Sequence, residues 1–157
     1  MTGKAHIYQA NVEWTGNKGT GTSSYRTYGR EHVVRMDGKP DILGSADPAF
    51  RGDGSLHNPE DMLMASLSAC HMLWYLHLAA DAGVVVTAYS DHATGTMVED
   101  AVRGGYFTEA ILHPRVTIAA GSDAAKAAAV HEAAHEKCYI ANSVNFPVRC
   151  EPMILTT

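Results

Sequence analysis

Three cysteines, Cys70, Cys138 and Cys150, are the side chains of this sequence best suited to covalent chemistry. A cysteine reacts as its thiolate, so a working thiol needs a neighbouring cation to hold the charge. It also needs a second thiol to reverse its oxidation. Cys70 stands inside "NPEDMLMASLSACHMLWYLHLAADAG" (58–83), which opens on Glu60 and Asp61 and is preceded by a loop carrying Arg51. Cys138 comes much later, near the end of "SDAAKAAAVHEAAHEKCYIANS". Cys150, in "FPVRCEPMIL", reads as a buried structural thiol. The wide spacing is neither a disulfide framework nor a paired-cysteine zinc pattern.

The elements that must position these thiols are legible in outline. Asn58 is a good helix N-cap, Pro59 suits the first helical position, and Glu60 and Asp61 complement the positive end of the helix dipole. Gly83 is a natural stop. Met62, Leu63, Leu67, Met72, Leu73, Trp74, Leu76 and Leu78 fall on nearly every face, so this helix is expected to be covered all round, with help from a second subunit. A strand is expected over Ala5–Trp14, a turn at 15–21, and a bent strand or hairpin over 22–40. Residues 42–57 read as an irregular loop. "VVVTAYSDHATGTMVE" and "YFTEAILHPRVTIAA" read as one long antiparallel hairpin, followed by the helix that Ser122 and Asp123 open and by a closing strand. The order is that of a single α+β domain over residues 1–157.

Composition narrows the function. The 157 residues are 46% hydrophobic and 18% charged, which suits a folded domain. A net charge of −5 without a basic block argues against nucleic acid. The start, "MTGKAHIYQANVEW", has no basic segment followed by an apolar core, and Ser66, Ser68, His71, Tyr75 and His77 interrupt the longest apolar run. Neither a secretory signal nor a membrane span is expected, and the cytoplasm is the expected compartment. There, a disulfide is usually catalytic or redox-sensing.

The start "HNPEDMLMASLSAC", the ten-residue step from Glu60 to Cys70, a later helix with a second cysteine, and the element order together resemble the OsmC/Ohr family, the osmotically inducible and organic hydroperoxide resistance proteins. The resemblance covers most of the chain. It implies a thiol-dependent peroxidase of the oxidative-stress response, with an OsmC-like α+β fold of antiparallel sheets around a long central helix and an intertwined homodimer. Cys70 would be the peroxidatic cysteine and Cys138 the resolving one, joined by a redox-active disulfide. Glu60 matches the family's glutamate. Arg51 is the favoured match to its arginine, with Arg26, Arg30 and Arg35 on earlier segments as alternatives. Tyr139 stands where relatives usually have proline after the resolving cysteine.

A guanidinium favours the thiolate, and a carboxylate would hold that guanidinium in place. An apolar shell, with Phe50, Met62, Trp74 and Phe146 as its expected members, would favour hydroperoxides with hydrocarbon tails. Ten helical residues put Glu60 roughly 15 Å along the axis from its own Cys70. Glu60 is therefore expected to serve the Cys70 of a partner chain across a two-fold axis. No metal, flavin or haem is implied, and an external dithiol, in the family one of lipoyl type, would supply electrons.

Two other readings compete. One is a non-catalytic binding or redox-sensing protein on the same fold. The other is a metal protein using His131, His135 and Cys138, at i, i+4 and i+7, with His71 or His77 completing the set. "GTGTSS" is too loose for a phosphate loop.

Overall fold

A computed structural model describes residues 3–157. The chain divides into two compact units, Met1–Met62 and Leu63–Thr157.

In the first unit β1 (Asn11–Trp14), β2 (His32–Arg35) and β3 (Ile42–Gly44) form an antiparallel sheet in that order. The strand expected from Ala5 begins only at Asn11, because β2 offers partners no further than Arg35 opposite Asn11. Ile7 and Tyr8 lie exposed before it. Part of the segment read as an irregular loop is β3, which pairs with β2 through Val33 opposite Leu43. The β1–β2 connection is held by Trp14 Nε1 donating to the Gly29 carbonyl at 2.8 Å. After β3, Asp47 caps a short 3-10 turn at Pro48–Phe50 by accepting from the Ala49 amide at 2.7 Å.

Helix α1 (Pro59–Asp81) then starts with a reciprocal cap. The Asp61 amide donates to Asn58 Oδ1 at 2.8 Å, and the Asn58 amide donates to Asp61 Oδ2 at 3.4 Å. Gly83, at φ 73°, ends the helix in the left-handed region that a side chain would resist.

The second unit contains most of α1, then β4 (Val86–Asp91), β5 (Thr94–Asp100), β6 (Gly104–Leu112), β7 (Pro114–Ile118), α2 (Ala124–Lys137), β8 (Val148–Cys150) and β9 (Met153–Thr156). The expected long hairpin is split between two mixed sheets, ordered β4–β7–β9 and β5–β6–β8. Asp91 fixes the break by accepting from the His113 amide at 2.7 Å, and Pro114 opens the next strand. The closing segment is likewise two strands, β8 parallel to β6 and β9 parallel to β7.

Helix α1 buries a stripe at every fourth position, Leu67, His71, Tyr75 and Ala79. That spacing puts all four on one face. Tyr75 and Ala79 pack with Val116 and Ile118 of β7 and with Ala127, Val130 and Ala134 of α2. Small alanines on α2 permit close approach, and the Tyr75 hydroxyl donates to the Ala127 carbonyl at 3.1 Å. Leu67 joins a second cluster with Ala110 and Leu112, bordered by Ile140, Val144 and Phe146. By length and composition α1 could cross a bilayer. Its buried stripe instead lies within these protein cores, Met64, Trp74, Leu76 and Leu78 pack partly against them, and Leu73, at 63% exposure, stands open in the single chain.

Candidate thiol site

Cys70 sits in the middle of α1, one residue before the buried His71, and is half-buried. Cys138 follows the last turn of α2, where the backbone leaves helical geometry at φ −68° and ψ 108°. This switch turns the Cys138 side chain off the α2 face and into the protein, where it is 1% exposed. The chain then closes a short 3-10 turn at Ala141–Ser143, and the Ala141 amide donates to Cys138 Sγ at 3.5 Å.

The two thiols are neighbours: Cys70 lies close enough to Cys138 to act on its titration. Both are free thiols. Burial pushes the Cys138 thiol up to about 11, with the neighbouring Cys70 adding to the rise and the Ala141 amide opposing it. Cys138 is therefore protonated at neutral pH and can donate to a thiolate at its partner. Neighbouring sulfurs on separate elements are the arrangement from which a disulfide forms.

Of the expected apolar shell, Trp74 lies one turn beyond Cys70 on α1 and meets Tyr139 edge-on at 5.6 Å between ring centroids. Lys137 Nζ stands 5.9 Å from the Trp74 ring centre. Phe146 packs against Phe107 at 5.4 Å and borders the Leu67 cluster. Tyr139 itself is exposed and is not part of the core.

Phe50, Arg51, Glu60 and Met62 belong to the first unit. Phe50 and Met62 are half-buried there, and Glu60 stands in the first turn of α1. Arg51 has φ 66°, the one positive φ of a non-glycine residue among the described residues, and ends the 3-10 turn by donating its amide to the Pro48 carbonyl at 3.0 Å. Neither Arg51 nor Glu60 joins an ion pair among the described residues. Two of the alternative arginines are engaged elsewhere. Arg30 lies over the Tyr25 and Tyr28 rings and donates to both their carbonyls, and Arg35 pairs with Glu13 and Asp41. Arg26 is exposed.

Sequence reasoning missed a second cluster. His71 Nε2 lies 3.0 Å from His131 Nδ1, and Cys150 Sγ lies 3.5 Å from the former and 3.8 Å from the latter. The i, i+4, i+7 set of His131, His135 and Cys138 does not assemble. Cys138 leaves the helix to meet Cys70, while His131 turns to His71 and Cys150. The period-four stripe of α1 was the available signal for His71, since it places that ring on the buried face. Nothing local marks Cys150, whose partners come from two distant helices.

Comparison with known proteins agrees with this architecture. Residues 52–152 match the family described as OsmC-like protein. An OsmC-like protein of unknown function from Vibrio cholerae is 31% identical, with a TM-score of 0.85 over 95% of this chain and all of that one. The organic hydroperoxide resistance protein OsmC of Legionella pneumophila shares the fold at 19% identity and a TM-score of 0.71, covering 98% of this chain and 99% of its own. An organic hydroperoxide resistance protein of Elizabethkingia anophelis does so at 18% identity and 0.69, covering 98% of this chain and all of its own. No curated protein matches the sequence.

Proposed function

The chain belongs to the OsmC-like family, and on that footing we propose that it is a cysteine-based peroxidase that reduces organic hydroperoxides to alcohols. The observation that carries this reading is that Cys70 and Cys138, from two separate helices, are neighbours close enough to interact. The names of the Legionella and Elizabethkingia proteins support the same substrate class.

In the proposed cycle the Cys70 thiolate attacks one oxygen of the hydroperoxide O–O bond. The bond breaks, and the leaving alkoxide takes a proton and departs as the alcohol. Cys70 is left as the sulfenic acid. Cys138, held protonated by burial, gives its sulfur to Cys70 and its proton to the departing hydroxide, so a disulfide and water form. An external dithiol then reduces the disulfide by exchange and leaves as its own disulfide. No resident cofactor enters these steps.

Arg51 is assigned to stabilise the Cys70 thiolate and to orient the O–O group, and Glu60 to hold that arginine. Phe50, Met62, Trp74 and Phe146 are the side chains we assign to the hydrocarbon tail. The absence of an ion pair on either Arg51 or Glu60 favours a partner chain that completes the set. The exposed Leu73 of α1 supports the same homodimer, formed by one domain per chain in the cytoplasm. A monomer mass at micromolar concentration in sedimentation would remove the dimer from this scheme.

The test of the activity is a thiol count. Reduced protein treated with one equivalent of cumene hydroperoxide should lose two thiols together and regain both with a dithiol. Hydrogen peroxide should act more slowly. Consumption of hydroperoxide at the parental rate by a Cys70→Ser variant would end the assignment and leave a binding or sensing role on this fold.

A further inference from the structure

We infer that His71, His131 and Cys150 form a binding site for one thiophilic closed-shell transition ion, Zn2+ or Cu+. The three side chains converge from α1, α2 and β8. None of them has a part in the proposed peroxide chemistry.

The geometry is that of a ligand triangle. Metal–nitrogen bonds of about 2.0–2.1 Å and a metal–sulfur bond of about 2.3 Å, set at tetrahedral angles, require N···N near about 3.3 Å and N···S near about 3.6 Å. The observed edges are 3.0 Å between His71 Nε2 and His131 Nδ1, then 3.5 Å and 3.8 Å from each to Cys150 Sγ. Shifts of a few tenths of an ångström bring all three donors into place.

Burial makes the same case. His71 is 0% exposed and His131 3%. Their outer nitrogens, His71 Nδ1 and His131 Nε2, are buried without hydrogen-bond partners. In a metal-free pair one inner nitrogen must donate to the other. The pair then always leaves one outer N–H without an acceptor and one outer lone pair without a donor. Two buried rings with half their bonding capacity unused form a costly arrangement that native proteins rarely keep. An ion between the inner nitrogens replaces their single hydrogen bond with two metal bonds and puts hydrogen on both outer atoms, which still find no protein acceptor, so the inner triangle and not the outer atoms carries the case. Burial also keeps both rings neutral at pH 7, the form that ligates.

The donor set selects the ion. One thiolate and two imidazoles suit zinc and cuprous copper and offer nothing to calcium or magnesium. Binding displaces the Cys150 thiol proton to solvent and leaves a single negative charge on the ligands. With Cu+ the centre is neutral. With Zn2+ it carries one positive charge, and the nearby Asp91 carboxylate, which acts electrostatically on both His71 and Cys150, offsets it. Access comes from a groove of about 500 Å³ that His131 and Cys150 line together with His135, Glu132 and Glu151. Water from the groove can complete a fourth position.

The test uses the full chain, made without an affinity tag and carrying Cys70→Ser and Cys138→Ser, so that the thiol pair cannot bind metal. Zn2+ and Cu+, the latter under anaerobic conditions, are added separately, followed by desalting and elemental analysis. One ion per chain should remain in at least one arm, and competition with chromophoric chelators tells which ion is preferred. Adding Cys150→Ser should weaken binding at least about a hundredfold, beyond the usual loss for an outer-sphere change. Co2+ should give a thiolate-to-cobalt charge-transfer band and a tetrahedral ligand-field spectrum. Where Cys150→Ser does not fold, the cobalt spectrum of the parent decides. A negligible metal content in both arms, binding indifferent to Cys150→Ser, or a cobalt spectrum without the thiolate band would each overturn the site. Hydroperoxide turnover enters none of these readouts, so the two proposals fail separately.

Discussion

At Cys138, burial above all, with the neighbouring sulfur adding to it, pushes the thiol up to about 11, which suits the resolving role proposed for it. This division of labour has a direct consequence for variants. Cys138→Ser should still let Cys70 react once, but the product should persist as a sulfenic acid that dimedone traps, and steady turnover with a dithiol should fall at least about tenfold. Mass spectrometry of the dimedone adduct checks it. Arg51 offers a second test, because its left-handed backbone at φ 66° carries a cost of about 1–2 kcal/mol that glycine would not incur. Glycine's extra freedom in the unfolded chain offsets part of that gain. Arg51→Gly is therefore expected to leave stability within about 1 kcal/mol of the parent while lowering hydroperoxide turnover by at least about a hundredfold. Paired urea melts and rate assays separate the two effects. A positive φ retained on a charged side chain is the kind of strain that persists at functional positions.

Helix α1 shows what one element can and cannot announce. Its bounds were legible because caps are local: Asn58, Pro59 and Asp61 mark the start, and Gly83 marks the end. Its greasiness concealed which face was inside. Only Leu67, His71, Tyr75 and Ala79 are buried, a stripe chosen by the small alanines of α2 and by β7, both far along the sequence. Strand partners hid for the same reason. The run 84–99 reads as one strand, yet it divides where Asp91 anchors His113, and the parallel pairing of β8 with β6 has no local signature. The thiol site was half legible. Cys70 and Cys138 stood out by their helices, whereas Cys150 meets His71 only through contacts 79 residues apart in sequence. Tyr75 tests the stripe directly. Tyr75→Phe keeps the ring but removes the hydroxyl's bond to the Ala127 carbonyl, which still accepts its helical bond, so the cost should be about 0.5–1.5 kcal/mol. The shift should come in the urea midpoint at constant m-value, because the surface exposed on unfolding is unchanged.

Over the whole molecule, the two buried histidines make folding a proton-linked event. Burial lowers both His71 and His131 from about 6.5 to about 4, with His135 adding to the fall at His71 and Asp91 opposing it, and with His71 adding to the fall at His131. Cys150 faces both rings, and Tyr75 stacks on His131 at 4.0 Å between centroids; both are neutral in acid. The folded pKa lies below the unfolded one, so the unfolded chain binds more protons between pH 6.5 and 4. The stabilisation is therefore complete above about pH 6.5, shrinks as pH falls through that window, and is gone below about 4. Each ring accounts for at most about 3 kcal/mol, and the hydrogen bond between them makes the joint figure less than the sum. Urea melts at pH 7, 5.5 and 4.5, with chelator present so that no ion competes for the imidazoles, should show stability falling steadily across the series. Other groups also titrate there, so the decisive quantity is the difference from a His71→Leu/His131→Phe variant. That variant should lose the acid slope that belongs to the two rings while retaining the part due to carboxylates. An equal slope in both proteins would mean that the two rings take up protons at the same pH folded and unfolded, so that burial does not shift them.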